Sequence, residues 1–190
     1  MTLTDTQIFE PDGRAIPFAE EGNGPAVVLI PERGQEVGSP GGLAHSVSME
    51  DFRVIRIGVR ASADPAGSLS ELAQDVVDVM DHLGVDHAWV GGHATGGSIA
   101  RTVSVDHHHR VNGVILLGVE ETETALAPSI PVLVIQGTAD DITPPVNGER
   151  LQASAPDRVS VVGIEGAGHL FPSTHIGATS WAIEDYLDWD

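Results

Sequence analysis

The chain has 190 residues and carries 28 acidic against 9 basic residues, which gives it a formal net charge of −19. A surface this acidic repels a phosphate backbone and an anionic membrane, which argues against nucleic acid and membrane as partners. There is no cysteine, which excludes disulfides, a thiolate nucleophile and cysteine-ligated metals. The apolar runs are too short for a membrane span and the N-terminal residues show no signal-peptide pattern, so we expect a single cytoplasmic domain over residues 1–190.

Short apolar runs alternate with amphipathic segments along the first half of the chain. The pattern predicts, in order, a hairpin with strands at Gln7–Phe9 and 15–19, a strand at Ala26–Ile30, a short helix near 43–49, a strand at 52–57 and a helix at 68–83. The helix at 68–83 is the clearest of these, because its apolar residues recur every three or four positions. Ser68 and Glu71 form a capping box at its start, and Gly84 ends it.

The alternation continues through the second half. It predicts a strand at 87–90, a helix at 95–105, strands at Val111–Leu117 and 132–135, a helix at 146–153, a strand at Val159–Ile164 and a final helix at 174–187. Four apolar residues are expected to anchor that last helix: Ile176, Trp181, Ile183 and Leu187. Repeated strand–helix units predict an α/β fold of about eight mostly parallel strands, with helices on both faces and the first hairpin supplying the antiparallel member.

The densest sequence signal is the stretch VGGHATGG at residues 90–97, between a predicted strand and a predicted helix. Glycines crowd such a turn because two backbone segments pass close to each other there. Ala94 stands at the apex, with Gly92 and Gly96 two positions away on either side. We expect the neighbouring His93 to pack beside the turn rather than to take part in chemistry.

Two further strand ends carry polar residues. The seventh predicted strand leads into Asp140, and the eighth leads into His169. Because the carboxyl ends of parallel strands lie at the same edge of a sheet, these loops and the glycine-rich turn can meet in space. Asp140 could instead cap the helix that follows, Asp141 is an alternative for either role, and His169 could be a loop histidine bonded to backbone.

The segments VGGHATGG, VLVIQGTADDITPP and GAGH resemble, in that order, the nucleophile elbow, the acid loop and the histidine loop of the α/β-hydrolase superfamily, in particular its small esterase, lipase and haloperoxidase-like branch. The resemblance covers nearly the whole chain and implies the α/β-hydrolase fold. It implies that Ala94 stands at the nucleophile position, that Asp140 is the acid and that His169 is the catalytic histidine. Since only residues 119–130 separate the sixth strand from the next, it also implies a fold without a cap domain.

The sequence departs from that family at two places. Alanine has no hydroxyl and cannot form an acyl-enzyme, so Ala94 leaves the family's serine nucleophile absent. The loop that would donate an oxyanion N–H reads Ile-Pro-Glu-Arg-Gly at 30–34, and the Glu32 carboxylate is unfavourable beside an oxyanion. By the resemblance, the backbone N–H groups of Thr95 and Arg33 are the remaining candidates for the oxyanion hole.

Three functional hypotheses follow. The chain is a pseudo-hydrolase that keeps a small-molecule pocket, or an enzyme that uses Asp140 and His169 as an acid–base dyad on a small carbonyl or ester substrate, or an esterase in which Ala94 is an engineered replacement of serine. The first is favoured, because a deliberate single replacement should leave the oxyanion loop in its family form. We expect no cofactor, because the glycine-rich turn lacks the G-x-G-x-x-G order of a dinucleotide loop. We expect no metal, because the three adjacent histidines at 107–109 cannot all face one ion from regular structure. The sequence is compatible with a homo-oligomer.

Overall fold

The computed structural model describes residues 6–37, 41–60, 69–122 and 125–188, and its centre is an eight-stranded sheet. The strands are β1 (Gln7–Phe9), β2 (Ile16–Glu21), β3 (Ala26–Ile30), β4 (Arg53–Ile57), β5 (Ala88–His93), β6 (Val111–Leu117), β7 (Val132–Gly137) and β8 (Val159–Ile164). Their order across the sheet is β1-β2-β4-β3-β5-β6-β7-β8. β2 runs antiparallel to both of its neighbours, and all other neighbouring strands pair in parallel. This architecture confirms the predicted fold class.

Helices cover both faces of the sheet and bury two separate cores. They are α1 (Gly41–Ser48), α2 (Leu69–His82), α3 (Thr95–Asp106), α4 (Pro145–Ser154), α5 (Phe171–Thr174) and α6 (Ile176–Leu187), with short 3₁₀ turns at Pro11–Gly13 and His108–Arg110. Side chains alternate along each strand, so β3 contributes Val28 and Ile30 to the core under α2 and α3, and Val27 and Leu29 to the core under α1 and α6. Burial on both faces explains why the central strands read as continuous apolar runs.

The final helix differs from its prediction in two ways. The predicted segment 174–187 is two helices, α5 and α6, which are separated at His175. The prediction that Trp181 anchors this segment is wrong, because the residue is 65% exposed, whereas Ile183 and Leu187 are buried. Two residues along a helix turn through about 200°, so Trp181 lies on the face opposite Ile183.

The carboxyl ends of the parallel strands lie at one edge of the sheet, and the loops that follow them carry the candidate residues. β5 extends to His93, three residues beyond the predicted end, and places the glycine-rich turn at that edge. In the described part of the connection between β6 and β7 there is no helix or strand, and no cap domain covers the edge there. Ser68, the residue predicted to cap the N-terminus of α2 by hydrogen bonding, lies outside the described residues. Within the described ranges, no helix combines the length and the apolar character that a bilayer crossing requires.

Candidate functional site

The turn between β5 and α3 is as sharp as its glycines predict. Ala94 has a φ of 51° and a ψ of −109°, a conformation that residues with a Cβ rarely adopt. A Cβ on Gly92 would come within 2.2 Å of the Gly96 carbonyl carbon, and a Cβ on Gly96 would come within 2.2 Å of the Ile30 carbonyl oxygen. Glycine is therefore required at both positions, because the start of α3 passes directly over β5 and the end of β3. Ala94 is only 2% exposed at the apex.

Asp140 lies buried in the loop after β7, where the polypeptide supplies several hydrogen-bond donors. Its Oδ1 accepts hydrogen bonds from the backbone N–H groups of Ile142 and Thr143, both at 2.9 Å, and its Oδ2 accepts one from the Thr143 hydroxyl at 2.6 Å. Burial raises the pKa of Asp140, but these hydrogen bonds, together with one from His169, outweigh it and lower the pKa overall. Asp140 thus organises its own loop and is also ionised, whereas Asp141 is exposed.

His169 lies between two carboxylates. Its Nδ1 is 3.0 Å from Asp140 Oδ2, and its Nε2 is 2.9 Å from Glu32 Oε1. The side chain is only 8% exposed. Burial lowers the pKa of His169, but the hydrogen bonds to Glu32 and Asp140 raise it by more, so the net shift is upward. Asp140, His169 and the apex of the turn are thus brought to the same edge of the sheet, together with the loop after β3.

The loop after β3 places Glu32 where a reacting group would have to approach His169. In a serine hydrolase, Nε2 of the catalytic histidine takes the proton of the nucleophile. Here that nitrogen already has a carboxylate as its partner. Glu32 thus competes with any reacting group for this nitrogen, and it favours the protonated form of the ring.

The two predicted oxyanion donors have different surroundings. The Arg33 N–H donates to the Thr95 hydroxyl at 2.6 Å, so this donor is already engaged in the observed conformation. The Thr95 N–H lies in the first turn of α3, where backbone N–H groups have no acceptor within the helix. Of the two candidates, Thr95 is therefore the one whose N–H has no hydrogen-bond acceptor within its own helix.

His93 belongs to the site, although the sequence predicted only a packing role for it. Its ring centroid is 4.6 Å from that of His169, and its Nε2 is 2.8 Å from the His169 carbonyl oxygen. Its Nδ1 is 4.0 Å from Glu32 Oε2. Burial, and then the neighbouring His169, lower the pKa of His93. We call Glu32, His93 and His169 the histidine–glutamate cluster. Its members lie in the loop after β3, at the end of β5 and in the loop after β8, far apart in the chain, so no local spacing could have revealed it.

The space around the site is small. A pocket of about 120 Å³ opens on Glu32 and His93, whereas the groove beside Ala94 on the α3 side is too narrow to hold a water molecule. A larger pocket, of about 450 Å³, lies away from His169 between α3, α4 and the loop after β6. In that loop Glu120 accepts a hydrogen bond from the Ser98 hydroxyl at 2.6 Å. The small pocket is lined by Pro31, Glu32, Gln35, His93, Leu170, Pro172 and Ser173.

Comparison with known proteins agrees with this geometry at the level of the fold. A sequence model of the Alpha/beta hydrolase family matches residues 66–175, which contain Ala94, Asp140 and His169 but not Glu32. A hydrolase from Pseudomonas aeruginosa aligns over 96% of this chain and 98% of its own, with a TM-score of 0.84 and 18% identity. An epoxide hydrolase from Vigna radiata aligns over 99% and 98%, with a TM-score of 0.83 and 14% identity. At these identities the similarity concerns the fold alone.

One curated relative is similar in sequence over a shorter segment. The protein named "Putative carbamate hydrolase RutD" from Caulobacter segnis is 36% identical over 67 residues. The match covers 35% of this chain and only 25% of that protein. The match therefore indicates shared ancestry in part of the fold. It is too short to assign the activity in that name to this chain.

Proposed function

The chain belongs to the alpha/beta hydrolase family, and from this premise we propose that it is a pseudo-hydrolase, a member that keeps the fold and the acid–histidine pair but carries out no serine-dependent hydrolysis. The observation that carries the proposal is the contact of 2.9 Å between Glu32 Oε1 and His169 Nε2. It coincides with the presence of Ala94 at the apex of the elbow. Both partners of the family's proton transfer, the attacking oxygen and the free base nitrogen, are then missing.

The missing oxygen is the first reason. Covalent catalysis in this family needs a hydroxyl that attacks the substrate carbonyl and leaves an acyl-enzyme. The Ala94 methyl group has no lone pair and no proton to exchange with His169. Losing the nucleophile of such a triad costs on the order of a millionfold in turnover.

The second reason is that His169 is a poor general base in this setting. A base is effective when its nitrogen is unprotonated and can reach the proton that it removes. Glu32 stabilises the protonated ring, because its carboxylate hydrogen-bonds to Nε2 and helps to raise the pKa of His169. It also occupies the direction from which a water molecule or an alcohol would have to approach. The same contact argues against an acid–base dyad of Asp140 and His169.

The ligand that such a site could hold is small. Pockets for ordinary organic ligands measure about 300–1,000 Å³, whereas the pocket beside Glu32 and His93 measures about 120 Å³. The small-molecule pocket predicted from the sequence is therefore proposed only for a ligand of a few atoms. We propose no activity on carbamates, although part of the chain is similar to a protein with carbamate hydrolase in its name.

Hydrolysis assays with 4-nitrophenyl acetate and a 4-nitrophenyl carbamate, both run in EDTA, test this proposal. We expect no turnover above buffer for the protein itself and little for Ala94→Ser. We expect Ala94→Ser combined with Glu32→Ala to be faster than Ala94→Ser alone by about 100-fold or more, because a freed base contributes 10²–10⁴-fold in such reactions. That gain should disappear when His169→Ala is added.

Glu36→Ala is the matched control, since Glu36 is an exposed carboxylate in the same loop. Combined with Ala94→Ser, it should leave the rate unchanged. Turnover by the unmodified protein that is lost in His169→Ala would overturn the proposal in favour of a dyad hydrolase. High activity of Ala94→Ser alone would show instead that Glu32 does not obstruct the base, and that only the serine is missing.

A further inference from the structure

The histidine–glutamate cluster has the composition and spacing of a metal site. One ligand atom from each of Glu32, His93 and His169 lies within 4.8 Å of the other two. The two histidine side chains are each 8% exposed and the Glu32 side chain is 23% exposed, so the cluster is partly shielded from water. No other group of this kind is found among the described residues.

The hydrogen bonds around the cluster determine which ring nitrogens carry protons. His93 Nε2 faces a backbone carbonyl, which can only accept, so this nitrogen carries the proton and donates it. His169 Nδ1 faces the ionised Asp140 carboxylate and donates to it in the same way. In the neutral rings, His93 Nδ1 and His169 Nε2 therefore hold lone pairs.

Both of these nitrogens face the same carboxylate. His169 Nε2 is 2.9 Å from Glu32 Oε1, and His93 Nδ1 is 4.0 Å from Glu32 Oε2. Without an ion, a proton between His169 Nε2 and Glu32 satisfies their contact; a divalent cation placed between the three groups would take the place of that proton and accept the lone pairs of both nitrogens. Metal-binding histidines characteristically donate their second N–H to a carboxylate or a backbone carbonyl, which fixes the tautomer and the ring orientation. Asp140 and the His169 carbonyl provide one acceptor of each kind.

We propose that Glu32, His93 and His169 bind a divalent transition-metal cation, Zn²⁺ being the best match, with Asp140 orienting His169 as a ligand. Two imidazoles and one carboxylate form a donor set that suits zinc, whereas calcium and magnesium prefer oxygen ligands alone. In a tetrahedral site, ligand atoms at about 2.0–2.2 Å from the zinc ion are about 3.3–3.6 Å apart, so the widest separation in the cluster, which is within 4.8 Å, would have to shorten by about 1 Å. The pocket that opens on Glu32 and His93 is the route for the ion.

This inference goes beyond the proposed function and does not depend on it. The spacing of residues along the chain predicted no metal, because the three ligands become neighbours only when the loop after β3, the end of β5 and the loop after β8 meet. Zinc binding is measured without any substrate, whereas hydrolysis is measured in EDTA. Failure of one proposal is therefore distinguishable from failure of the other.

Calorimetric titration of the EDTA-treated, dialysed protein with Zn²⁺ tests the site, and titration with Co²⁺ adds an absorption spectrum that reports on the ligands. We expect one Zn²⁺ per chain and a melting temperature that rises with zinc concentration. Glu32→Gln should abolish the stoichiometric binding, and the matched control Glu36→Gln should keep it. Asp140→Asn should weaken binding about 10- to 100-fold, because it removes the group that orients His169.

Exposed histidines need a control of their own. His108 and His109 are adjacent and exposed, so a variant with His108→Ala and His109→Ala should still bind one Zn²⁺ per chain. Loss of binding in that variant, equal binding by Glu32→Gln and Glu36→Gln, or no stoichiometric binding by the unmodified protein would each overturn the proposal. If Glu32→Gln does not fold, as judged by circular dichroism in EDTA, His93→Asn provides the same test.

Discussion

Ala94 keeps a backbone conformation that is costly for any residue with a Cβ. Its φ of 51° lies in the region that favours glycine. The surrounding hydrogen bonds impose this conformation, because the Ala94 N–H donates to the Leu117 carbonyl at 3.0 Å and its own carbonyl accepts from Gly97 at 2.9 Å. In a serine hydrolase such strain serves to project the nucleophile. With a methyl group at the apex, the strain is retained although no nucleophile is projected.

Ala94→Gly should therefore stabilise the protein. A strained non-glycine residue costs about 1–3 kcal/mol, and glycine costs about 0.4–1 kcal/mol through the greater freedom of the unfolded chain. We expect a net gain of about 1 kcal/mol in the free energy of unfolding, measured by urea denaturation. Ala155→Gly is the control, because Ala155 has a φ of −151° and no strain to relieve, so it should only lose stability. Equal destabilisation by the two substitutions would contradict the interpretation of strain at Ala94.

Helix α2 is tied to the rest of the fold by a buried carboxylate as well as by its apolar face. Asp75 is 3% exposed and accepts hydrogen bonds from the side chains of Arg14 and Arg60. Arg14 also donates to Asp78 at 2.7 Å, and this bond together with the charge of Asp75 raises the pKa of the guanidinium above its ordinary value, against the opposing effect of burial. The carboxylate therefore joins α2 to the segment before β2 and to the loop after β4.

Asp75→Asn should destabilise the protein by about 3 kcal/mol, because breaking a buried ion pair is costly and the replacement removes the carboxylate partner of Arg60 and one of the two carboxylate partners of Arg14. Asp78→Asn is the matched control on the same helix, with a side chain that is 21% exposed. Its loss should stay below about 1 kcal/mol, as for pairs near the surface. Chemical denaturation of both variants measures the difference. A loss at Asp75 no larger than that at Asp78 would refute the role of the buried carboxylate in holding α2.

At the scale of the whole molecule, the excess of acidic residues acts against the compact state. With a formal net charge of −19, mutual repulsion of the carboxylates is relieved when the chain expands. Salt shortens the range of this repulsion to about 10 Å at 0.1 M and about 3 Å at 1 M. The folded state should therefore be more stable at high ionic strength than at low ionic strength.

Raising NaCl from about 0.01 M to about 1 M, a range over which the screening length falls about tenfold, should raise the melting temperature. Calorimetry in EDTA measures the shift and excludes a contribution from bound metal. Sucrose at equal osmolality is the control for solute exclusion, which stabilises proteins without screening charge. A melting temperature that does not change with NaCl would contradict the role of charge repulsion.

Local patterns were sufficient to predict most of the elements. The predicted bounds of Ala26–Ile30, Val111–Leu117 and Val159–Ile164 agree with β3, β6 and β8. β3 and β6 are buried on both faces, so hydrophobicity alone marks where they begin and end. β8 is an edge strand with exposed residues, and its β-branched residues mark it instead. At Trp181 the same reasoning was wrong, because a large apolar residue can lie on the exposed face of a helix.

The sequence by itself determined the α/β fold and the order of the three loops, because both depend on periodicity and on glycines whose close contacts no other residue tolerates. It also determined that the apex residue has no nucleophile, since this is a matter of residue type. Only the tertiary structure decided what surrounds His169. Glu32 and His93 contact that ring from positions 137 and 76 residues away in the chain. Such distant neighbours are set by how parallel strands align at one edge of a sheet, which no local pattern records.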